Sequence, residues 1–150
     1  MAKKLIAKKI AISGGFDPLH TGHLKMIKEA SEFGDVIVFL NSDDFLMKKK
    51  DYVFMNFAQR KELLESIKWV KEVVAVIDKD QTVCGTLKKY KPDIFANGGD
   101  RTRKNIPEVD TCKHLGIKMI FGIGGKKIQS SSDLVKAIKY RDCGLNLGDK

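Results

Sequence analysis

The stretch that decides the fold of this 150-residue chain is Gly14-Gly15-Phe16-Asp17-Pro18-Leu19-His20-Thr21-Gly22-His23. The apolar run Ile10-Ala11-Ile12 precedes it, and the amphipathic run Leu24 to Phe33 follows it. This order predicts a buried strand, a glycine-rich turn and then a helix. Paired glycines let a backbone approach an anion closely, and the N–H groups at a helix start favour negative charge. The stretch therefore predicts a phosphate-binding turn.

Two histidines in this stretch point to chemistry as well as binding. His20 and His23 are three residues apart, so they lie near one face of the first helical turn. An imidazole N–H can donate to a phosphate oxygen, and two of them on one phosphate can stabilise charge that builds during phosphoryl transfer. Either histidine by itself would be typical of a surface or core residue. A metal site needs more ligands than this pair, so we assign no metal ligand.

Composition places the chain among globular proteins. With 43% hydrophobic residues, we expect one domain over residues 1–150, with frayed tails at 1–7 and 144–150. No apolar run has the length of a membrane helix, and no apolar signal core follows the basic N-terminus, so we expect a cytoplasmic protein. The three cysteines are far apart in the sequence and odd in number, which favours reduced thiols over disulfides or zinc.

The net charge of +9 has three possible explanations. It can reflect nucleic-acid binding, a site for a triphosphate and a second anionic substrate, or a solvated lysine-rich surface. The lysines are spread along the chain and no nucleic-acid motif accompanies them. We therefore do not expect a nucleic-acid partner.

Strand and helix patterns alternate along the whole chain. The pattern predicts five strands, with helices between and after them. Ser42 to Tyr52 is predicted to be a loop. The strands are Lys8–Ser13, Asp35–Asn41, Val73–Ile77, Asp93–Asn97 and Ile117–Phe121, and the helices are Gly22–Phe33 (with Thr21 as its N-cap), Phe57–Ile67, Gln81–Tyr90, Pro107–Leu115 and Ser131–Tyr140. This alternation predicts an α/β fold of the Rossmann-like, doubly wound type, a five-stranded parallel sheet with helices on both faces.

The same pattern predicts where a ligand binds. In a doubly wound sheet, ligands lie outside the carboxyl ends of the strands, at the point where the strand order reverses. The glycine-rich turn, the Lys48 segment, the Gly98 loop and the Gly124–Ser132 loop all follow strands. We expect them to meet at one cleft.

The segment His20-Thr21-Gly22-His23, after a glycine-rich strand exit, resembles the signature of the cytidylyltransferase-like nucleotidyltransferases. Further matches lie in order from about Lys8 to Lys139. In this family the two histidines bind the nucleoside triphosphate and stabilise the transition state at its α-phosphate, which implies that catalytic role for His20 and His23. The resemblance also implies a triphosphate pocket formed by Gly14, Gly15, Phe16, Asp17 and Gly22.

Two later loops extend the resemblance. Gly98-Gly99-Asp100 is by itself typical of an ordinary strand exit, but it resembles the family loop around the base and ribose, which implies nucleotide contacts for Asn97, Gly98, Gly99 and Asp100. Ser130-Ser131-Ser132 resembles the family element that binds the β- and γ-phosphates. That likeness implies contacts for Gln129, Ser130 and Ser131, although Gln129 stands where the family usually has an apolar residue. Lys126 and Lys127 stand near the family's cation for the leaving pyrophosphate.

A lysine run marks the expected acceptor side. Lys48-Lys49-Lys50 would by itself be typical of a solvated charge run, but it stands where relatives place a lysine for the acceptor's phosphate. With Asp43 and Arg60 it follows the pattern of glycerol-3-phosphate cytidylyltransferase. We assign Lys48 and Lys50 to acceptor binding, with Lys50 also catalytic. Arg60 receives an acceptor-side or a structural role, and the sequence leaves that choice open.

The resemblance implies a reaction and its participants. A phosphate oxygen of a small phosphorylated acceptor attacks the α-phosphorus of a nucleoside triphosphate in line, and pyrophosphate leaves. Mg²⁺ is implied as the cofactor, bound mainly through the triphosphate, and relatives imply a homodimer. The leading function is a cytidylyltransferase that uses CTP and a polyol, sugar or phosphonate acceptor. The alternatives are an adenylyltransferase like that of ADP-heptose synthase, and a non-catalytic nucleotide-binding or RNA-binding module.

Overall fold

The computed structural model describes residues 7–98, 106–125 and 130–138. These residues form five strands and six helices. The strands are β1 Lys9–Gly14, β2 Asp35–Leu40, β3 Val70–Ala75, β4 Ile94–Gly98 and β5 Lys118–Ile123, and the helices are α1 Thr21–Ser31, α2 Asp43–Lys50, α3 Phe57–Glu65, α4 Cys84–Tyr90, α5 Glu108–Leu115 and α6, residues 131–138. The predicted tails, apart from Ala7, lie outside the described residues.

The strands form one parallel sheet in the order β3-β2-β1-β4-β5. From β1 the chain adds β2 and β3 on one side of the sheet, and then returns to add β4 and β5 on the other side. The switch point therefore lies between the carboxyl ends of β1 and β4. Helices cover both faces: Ile27 of α1 and Leu64 of α3 pack on one face, and Leu87 of α4 and Cys112 of α5 pack on the other. The predicted doubly wound, Rossmann-like fold is confirmed.

The strands at the centre of the sheet are buried on both faces. Every residue from Val36 to Leu40 in β2 is buried, as are Ile10 to Ile12 in β1. Burying each large aliphatic side chain contributes roughly 1.5–3 kcal/mol. Because both strands are fixed along their length, their carboxyl ends offer a rigid base for the loops that follow.

Among the described helices, none has both the length and the apolar character needed to cross a bilayer.

The prediction of a loop from Ser42 to Tyr52 was wrong, because Asp43–Lys50 forms α2. Ser42 caps this helix, with its Oγ accepting from the Phe45 N–H at 3.1 Å. The helix has acidic residues in its first turn and lysines in its last, which complements the helix dipole. Leu46 is its one fully buried residue, so the helix has almost no hydrophobic periodicity by which the sequence could reveal it.

Several element ends differ from the sequence prediction by one to three residues, and three of them have a clear physical reason. Strand β3 begins at Val70 instead of Val73, because its first residues form an exposed end of the edge strand. Helix α4 begins at Cys84 instead of Gln81, because Gln81 has a φ of 68° and lies in a turn. The N-cap of α1 is His20, and Thr21 is already helical.

Candidate active site

A cavity of about 340 Å³ lies at the carboxyl ends of the strands, around the switch point between β1 and β4. Five segments form its walls: the stretch Gly14–His23, named here the first turn, then α2, the end of β4, the residues after β5 and the start of α6. The structure thus brings the predicted loops together at one edge of the sheet.

Most of the residues predicted to bind substrate line this cavity. Those that do are Gly14, Gly15, Phe16, Asp17, His20, Gly22, His23, Lys50, Asn97, Gly98, Ser130 and Ser131. Lys48 and Arg60 are described by the structure but do not line the cavity. Gly99, Asp100, Lys126, Lys127 and Gln129 lie outside the described residues.

The glycines of the first turn permit close packing. A Cβ on Gly15 would lie 2.6 Å from Leu46 Cδ2, and a Cβ on Gly14 would lie 3.1 Å from the Phe16 ring. Neither glycine has a positive φ, whereas Phe16 does, at 51°. Phe16 is 3% exposed, and its ring packs at a tilt against His23. The buried ring thus holds the turn in a conformation that a non-glycine residue seldom adopts.

The two histidines cap the helix that they begin. The N–H of Gly22 donates to His20 Nδ1 at 3.1 Å, and the N–H of His20 donates to His23 Nδ1 at 3.2 Å. The rings stack with centroids 3.7 Å apart. A neutral imidazole carries one hydrogen, so an accepting Nδ1 places that hydrogen on Nε2. The cap therefore sets both rings in the tautomer whose Nε2–H donates.

Asp17 connects the first turn to the loop that joins α2 and α3. Its carboxylate is 1% exposed and accepts from the N–H groups of Phe54 at 2.7 Å and Met55 at 2.6 Å. Lys50 Nζ donates to the Asp17 carbonyl at 2.6 Å and lies 3.8 Å from its carboxylate. The negative charge of Asp17 is thus neutralised within the protein, and it positions Lys50.

Arg60 is buried behind the cavity wall, with 1% exposure. Its guanidinium donates to the carbonyls of Gly15 at 2.9 Å, Asn41 at 2.7 Å and Met55 at 2.9 Å, and to the Asp43 carboxylate at 2.6 Å. These bonds join the ends of β1 and β2 to the starts of α2 and α3. Of the two roles that the sequence left open for Arg60, this geometry supports the structural one.

The three lysines of α2 differ in their surroundings. Lys49 and Lys50 line the cavity, whereas Lys48, predicted to bind the acceptor, is exposed and lies outside the cavity. Lys50 Nζ also lies 4.7 Å from the Tyr52 ring centroid. Burial lowers the pKa of Lys50, Asp17 opposes that change, and Arg60 adds to it. Successive side chains on a helix point about 100° apart. If the segment had been predicted as a helix, the three lysines would have been expected to point in different directions.

The opposite wall is formed by the residues after β5 and by α6. Ser130 caps α6, with its Oγ accepting from the Asp133 N–H at 3.0 Å. Ser131 Oγ donates to the Pro18 carbonyl at 2.8 Å, so the starts of α6 and α1 are joined directly. Two helix N-termini therefore meet at one cavity, which is a favourable setting for a polyphosphate.

Two further features belong to this wall. The N–H of Gly124 donates to the Glu29 carboxylate, which ties the residues after β5 to α1. Met26 of α1 lines the cavity, and a Cβ on Gly98 would lie 2.7 Å from its sulfur. Met26 was not among the predicted site residues, because its helical spacing is that of an ordinary core residue. Among the described residues, no cluster of three His, Cys, Asp or Glu side chains can hold a metal ion.

Comparison with known proteins tests the resemblance. The model of the cytidylyltransferase-like family matches residues 11–137, which include every wall of the cavity. The chain belongs to the cytidylyltransferase-like family. The resemblance inferred from the sequence is thereby confirmed, and so is the enzyme class, a nucleotidyltransferase.

Individual relatives and solved structures show how far the likeness extends. Glycerol-3-phosphate cytidylyltransferase of Bacillus subtilis is 30% identical over 81% of this chain and 95% of its own length. The bifunctional protein HldE of Aliarcobacter butzleri is 33% identical over 95% of this chain, which spans 30% of that longer protein. A crystal structure of a lipopolysaccharide core biosynthesis protein from Thermoplasma volcanium has a TM-score of 0.66 at 21% identity, covering 77% of this chain and 95% of that one.

Proposed function

We propose that this nucleotidyltransferase moves a cytidylyl group from CTP to the phosphate or phosphonate of a small polyol or sugar and releases pyrophosphate. One observation supports the proposal. The two histidines that cap α1 lie on one side of the cavity, together with the N-termini of α1 and α6, and Lys49 and Lys50 lie on its α2 side. The arrangement offers separate places for a polyphosphate and for a second anion. The match to glycerol-3-phosphate cytidylyltransferase covers 95% of that relative's length. This likeness supports CTP as the nucleotide and a polyol phosphate as the acceptor.

The triphosphate lies between the starts of α1 and α6 in this proposal. Main-chain N–H groups at the start of α6 bind its phosphates, together with the Ser130 hydroxyl, which only accepts in the cap and so keeps its hydrogen. Lys126 and Lys127 bind the leaving pyrophosphate. The Nε2–H groups of His20 and His23 donate to oxygens of the α-phosphate. As the α-phosphorus becomes pentacoordinate, negative charge grows on these oxygens, so fixed donors stabilise the transition state more than the ground state.

The acceptor lies on the α2 side. Its phosphate is bound by Lys50, with Lys49 nearby, and one of its oxygens attacks the α-phosphorus opposite the pyrophosphate. That oxygen is already ionised near pH 7, so no protein base has to remove a proton. Catalysis then depends on positioning and on neutralising charge.

Mg²⁺ would be held at this site mainly by oxygens of the triphosphate. The carboxylate of Asp17 already accepts from two N–H groups, and the described residues hold no metal-binding cluster, so phosphate oxygens and water are its main ligands. Bound Mg²⁺ neutralises charge on the triphosphate and its leaving group. The resemblance also supports a homodimer, which light scattering of the purified protein tests.

An adenylyltransferase that uses ATP on a sugar phosphate is the second candidate. HldE, an ADP-heptose synthase relative, matches 95% of this chain at 33% identity and supports it. The residues that separate the two bases in this family fall partly on Gly99 and Asp100, outside the described residues.

A pyrophosphate-release screen tests both candidates. CTP and ATP are each combined with glycerol 3-phosphate, sugar phosphates and phosphonates in the presence of Mg²⁺, and the His20→Ala/His23→Ala double variant is the control. Turnover with CTP and a polyol or sugar phosphate, lost in the control, supports the proposal. Turnover with ATP only moves the conclusion to the adenylyltransferase, and no turnover with any pair, together with tight RNA binding, favours the non-catalytic module.

A further inference from the structure

One side chain in the cavity wall has a buried donor with nothing to bind. In the part of the chain that the structure describes, four buried polar side-chain atoms lack a hydrogen-bond partner: Asn41 Oδ1, Tyr52 Oη, Asn97 Nδ2 and Glu108 Oε2. Among these four residues, only Asn97 lines the cavity, and it is 5% exposed. Leaving a buried amide unpaired costs free energy, and a ligand oxygen at this wall would recover it.

The pleat of β4 shows which part of the cavity Asn97 serves. Ile94 and Ala96 pack on the sheet face covered by α1, and Phe95 packs on the face covered by α4 and α5. Because successive side chains of a strand alternate, Asn97 lies on the α4–α5 face. Gly98 returns to the α1 face, where a Cβ would meet Met26. Asn97 and the α1 histidines therefore lie on opposite faces at the same edge of the sheet.

Strand β1 offers a hydroxyl on the same face. Ala11 pairs with Phe95, and both pack on the α4–α5 side of the sheet. Ser13 and Asn97 each lie two residues further along their strands, so the alternation of side chains puts both on that face. Ser13 also lines the cavity. Neither side chain is charged, whereas the two lysines among the described lining residues, Lys49 and Lys50, lie on α2, after β2. The cavity thus has a basic part suited to a phosphate and a neutral polar part on the α4–α5 face.

We propose that Asn97 is a specificity-determining residue for the acceptor, with its Nδ2 donating to an uncharged oxygen, a hydroxyl of the polyol or sugar part. This inference rests on the proposed function and names the chemistry of its acceptor. A hydroxyl suits this position because it accepts from the amide and can also bond with Ser13, without needing a charge beside it. An alkyl phosphate, which lacks such a hydroxyl, leaves the amide unpaired in the complex.

Steady-state kinetics of Asn97→Ala tests the inference. The probes are glycerol 3-phosphate and n-propyl phosphate, or the best acceptor of the screen and its deoxy counterpart, each with the preferred triphosphate. We expect KM for the hydroxylated acceptor to rise about tenfold, the effect of one lost hydrogen bond. KM for the triphosphate and the kinetics with the deoxy acceptor should stay unchanged, because neither uses the amide.

Two further variants control for packing. Asn97→Asp keeps the shape of the side chain but replaces the donor by an acceptor, so it should raise the same KM even if Asn97→Ala folds poorly. Asn41→Ala removes another buried amide with an unpaired atom, outside the cavity, and should leave every KM unchanged. Thermal unfolding of each variant shows whether it is folded in the assay.

Three results overturn the inference. A rise in KM for the triphosphate with none for the acceptor assigns Asn97 to the nucleotide. An equal rise for the hydroxylated and deoxy acceptors, or no rise, shows that the amide does not bind the hydroxyl. A wild-type protein that turns over no pair overturns the proposed function, and this inference with it, whereas failure in an active enzyme overturns the inference only.

Discussion

The first turn and the end of β4 both follow a buried strand at the same edge of the sheet, yet they are built differently. The first turn bonds with four other elements: Arg60 donates to it from α3, Lys50 from α2 and Ser131 from α6, and Asp17 accepts from the loop before α3. At the end of β4, in the part of the chain that the structure describes, Asn97 Nδ2 is buried without a hydrogen-bond partner.

We infer from this difference that the first turn serves catalysis and that the end of β4 serves selection of the acceptor. Groups that stabilise a transition state must be fixed before the reaction, and the bonds around the first turn fix the two histidines. A group that selects a substrate contributes when the substrate completes its hydrogen bonds, and an unpaired amide meets that condition. Changes at the first turn should therefore affect stability and kcat, whereas changes at Asn97 should affect KM for the acceptor.

The largest effect is expected at Arg60. Arg60→Met keeps the length of the side chain but leaves the carbonyls of Gly15, Asn41 and Met55 buried without their donor. The free energy of unfolding in urea should fall by about 3–5 kcal/mol, as for other broken buried charge networks. Lys61→Met on the same helix is the control and should cost less than about 1 kcal/mol. A similar small loss for Arg60→Met would show that the first turn does not depend on this residue.

The next largest effect is expected at the histidines. His23→Ala and His20→Asn each remove an Nε2–H donor, so kcat should fall by about 10²- to 10³-fold while triphosphate affinity changes much less. His20→Asn retains an N-cap side chain and should unfold near the wild-type temperature, whereas His20→Ala also loses the cap. Equal losses of kcat and affinity, or no loss, would contradict a role at the transition state.

The two outer lysines of the run should differ in their effect on the acceptor. Lys50→Ala should raise KM for the acceptor by roughly 10- to 100-fold, because it removes a charged hydrogen bond to phosphate. Lys48→Ala should leave it unchanged, since Lys48 is exposed outside the cavity. Equal effects of the two substitutions would show that general positive charge, and not the position of Lys50, attracts the acceptor.

The lowered pKa of Lys50 adds a pH signature to this prediction. Burial disfavours its charged form, so Lys50 in the folded enzyme loses its proton at a lower pH than a lysine in the unfolded chain, whose pKa is near 10.5. The kcat/KM for the acceptor should therefore fall at alkaline pH before 10.5 is reached. Lys50→Arg should move this fall to higher pH, because arginine keeps its charge. An unmoved profile would assign the fall to another group.

The smallest effect is expected at the joint between α6 and the first turn. Ser131→Ala removes the hydrogen bond to the Pro18 carbonyl, worth about 1 kcal/mol, so triphosphate Kd should rise about fivefold in a calorimetric titration. The kcat should change little, because the histidines keep their cap. Ser66→Ala, which removes a similar hydroxyl bond at the end of α3, is the control and should leave Kd unchanged. A Kd unaffected by Ser131→Ala would separate α6 from triphosphate binding.

Local patterns predicted the strands better than the segments between them. The continuous apolar run of β2 and the turn after β1 are readable from neighbouring residues, because burial on both faces needs an unbroken run and a phosphate turn needs its glycines in sequence. Helix α2 escaped prediction because capping and charge stabilise it with a single fully buried residue, Leu46. A search for helix caps in addition to periodicity would have found Ser42 and the acidic residues after it.

The roles of individual side chains were harder to predict than the position of the site. The sequence placed Lys48 with the acceptor and left Arg60 between two roles, whereas the structure puts Lys49 in the cavity wall and buries Arg60. Asn97 was grouped with the nucleotide loop by its place in the sequence. The pleat of β4 puts its side chain on the face of the sheet opposite α1, which its place in the sequence did not reveal.

The sequence by itself determined the order of strands and helices, the site at the carboxyl edge of the sheet and the pair of histidines, because each follows from residues close together along the chain. Only the tertiary structure decided which cations reach the cavity, that Arg60 lies buried behind its wall and that Asn97 Nδ2 is buried there without a hydrogen-bond partner. These outcomes depend on contacts between distant residues, such as the bond from Ser131 to Pro18 across 113 positions and the bond from Arg60 to Gly15 across 45. Burial and hydrogen-bond partners are properties of the packed fold, so no local pattern contains them.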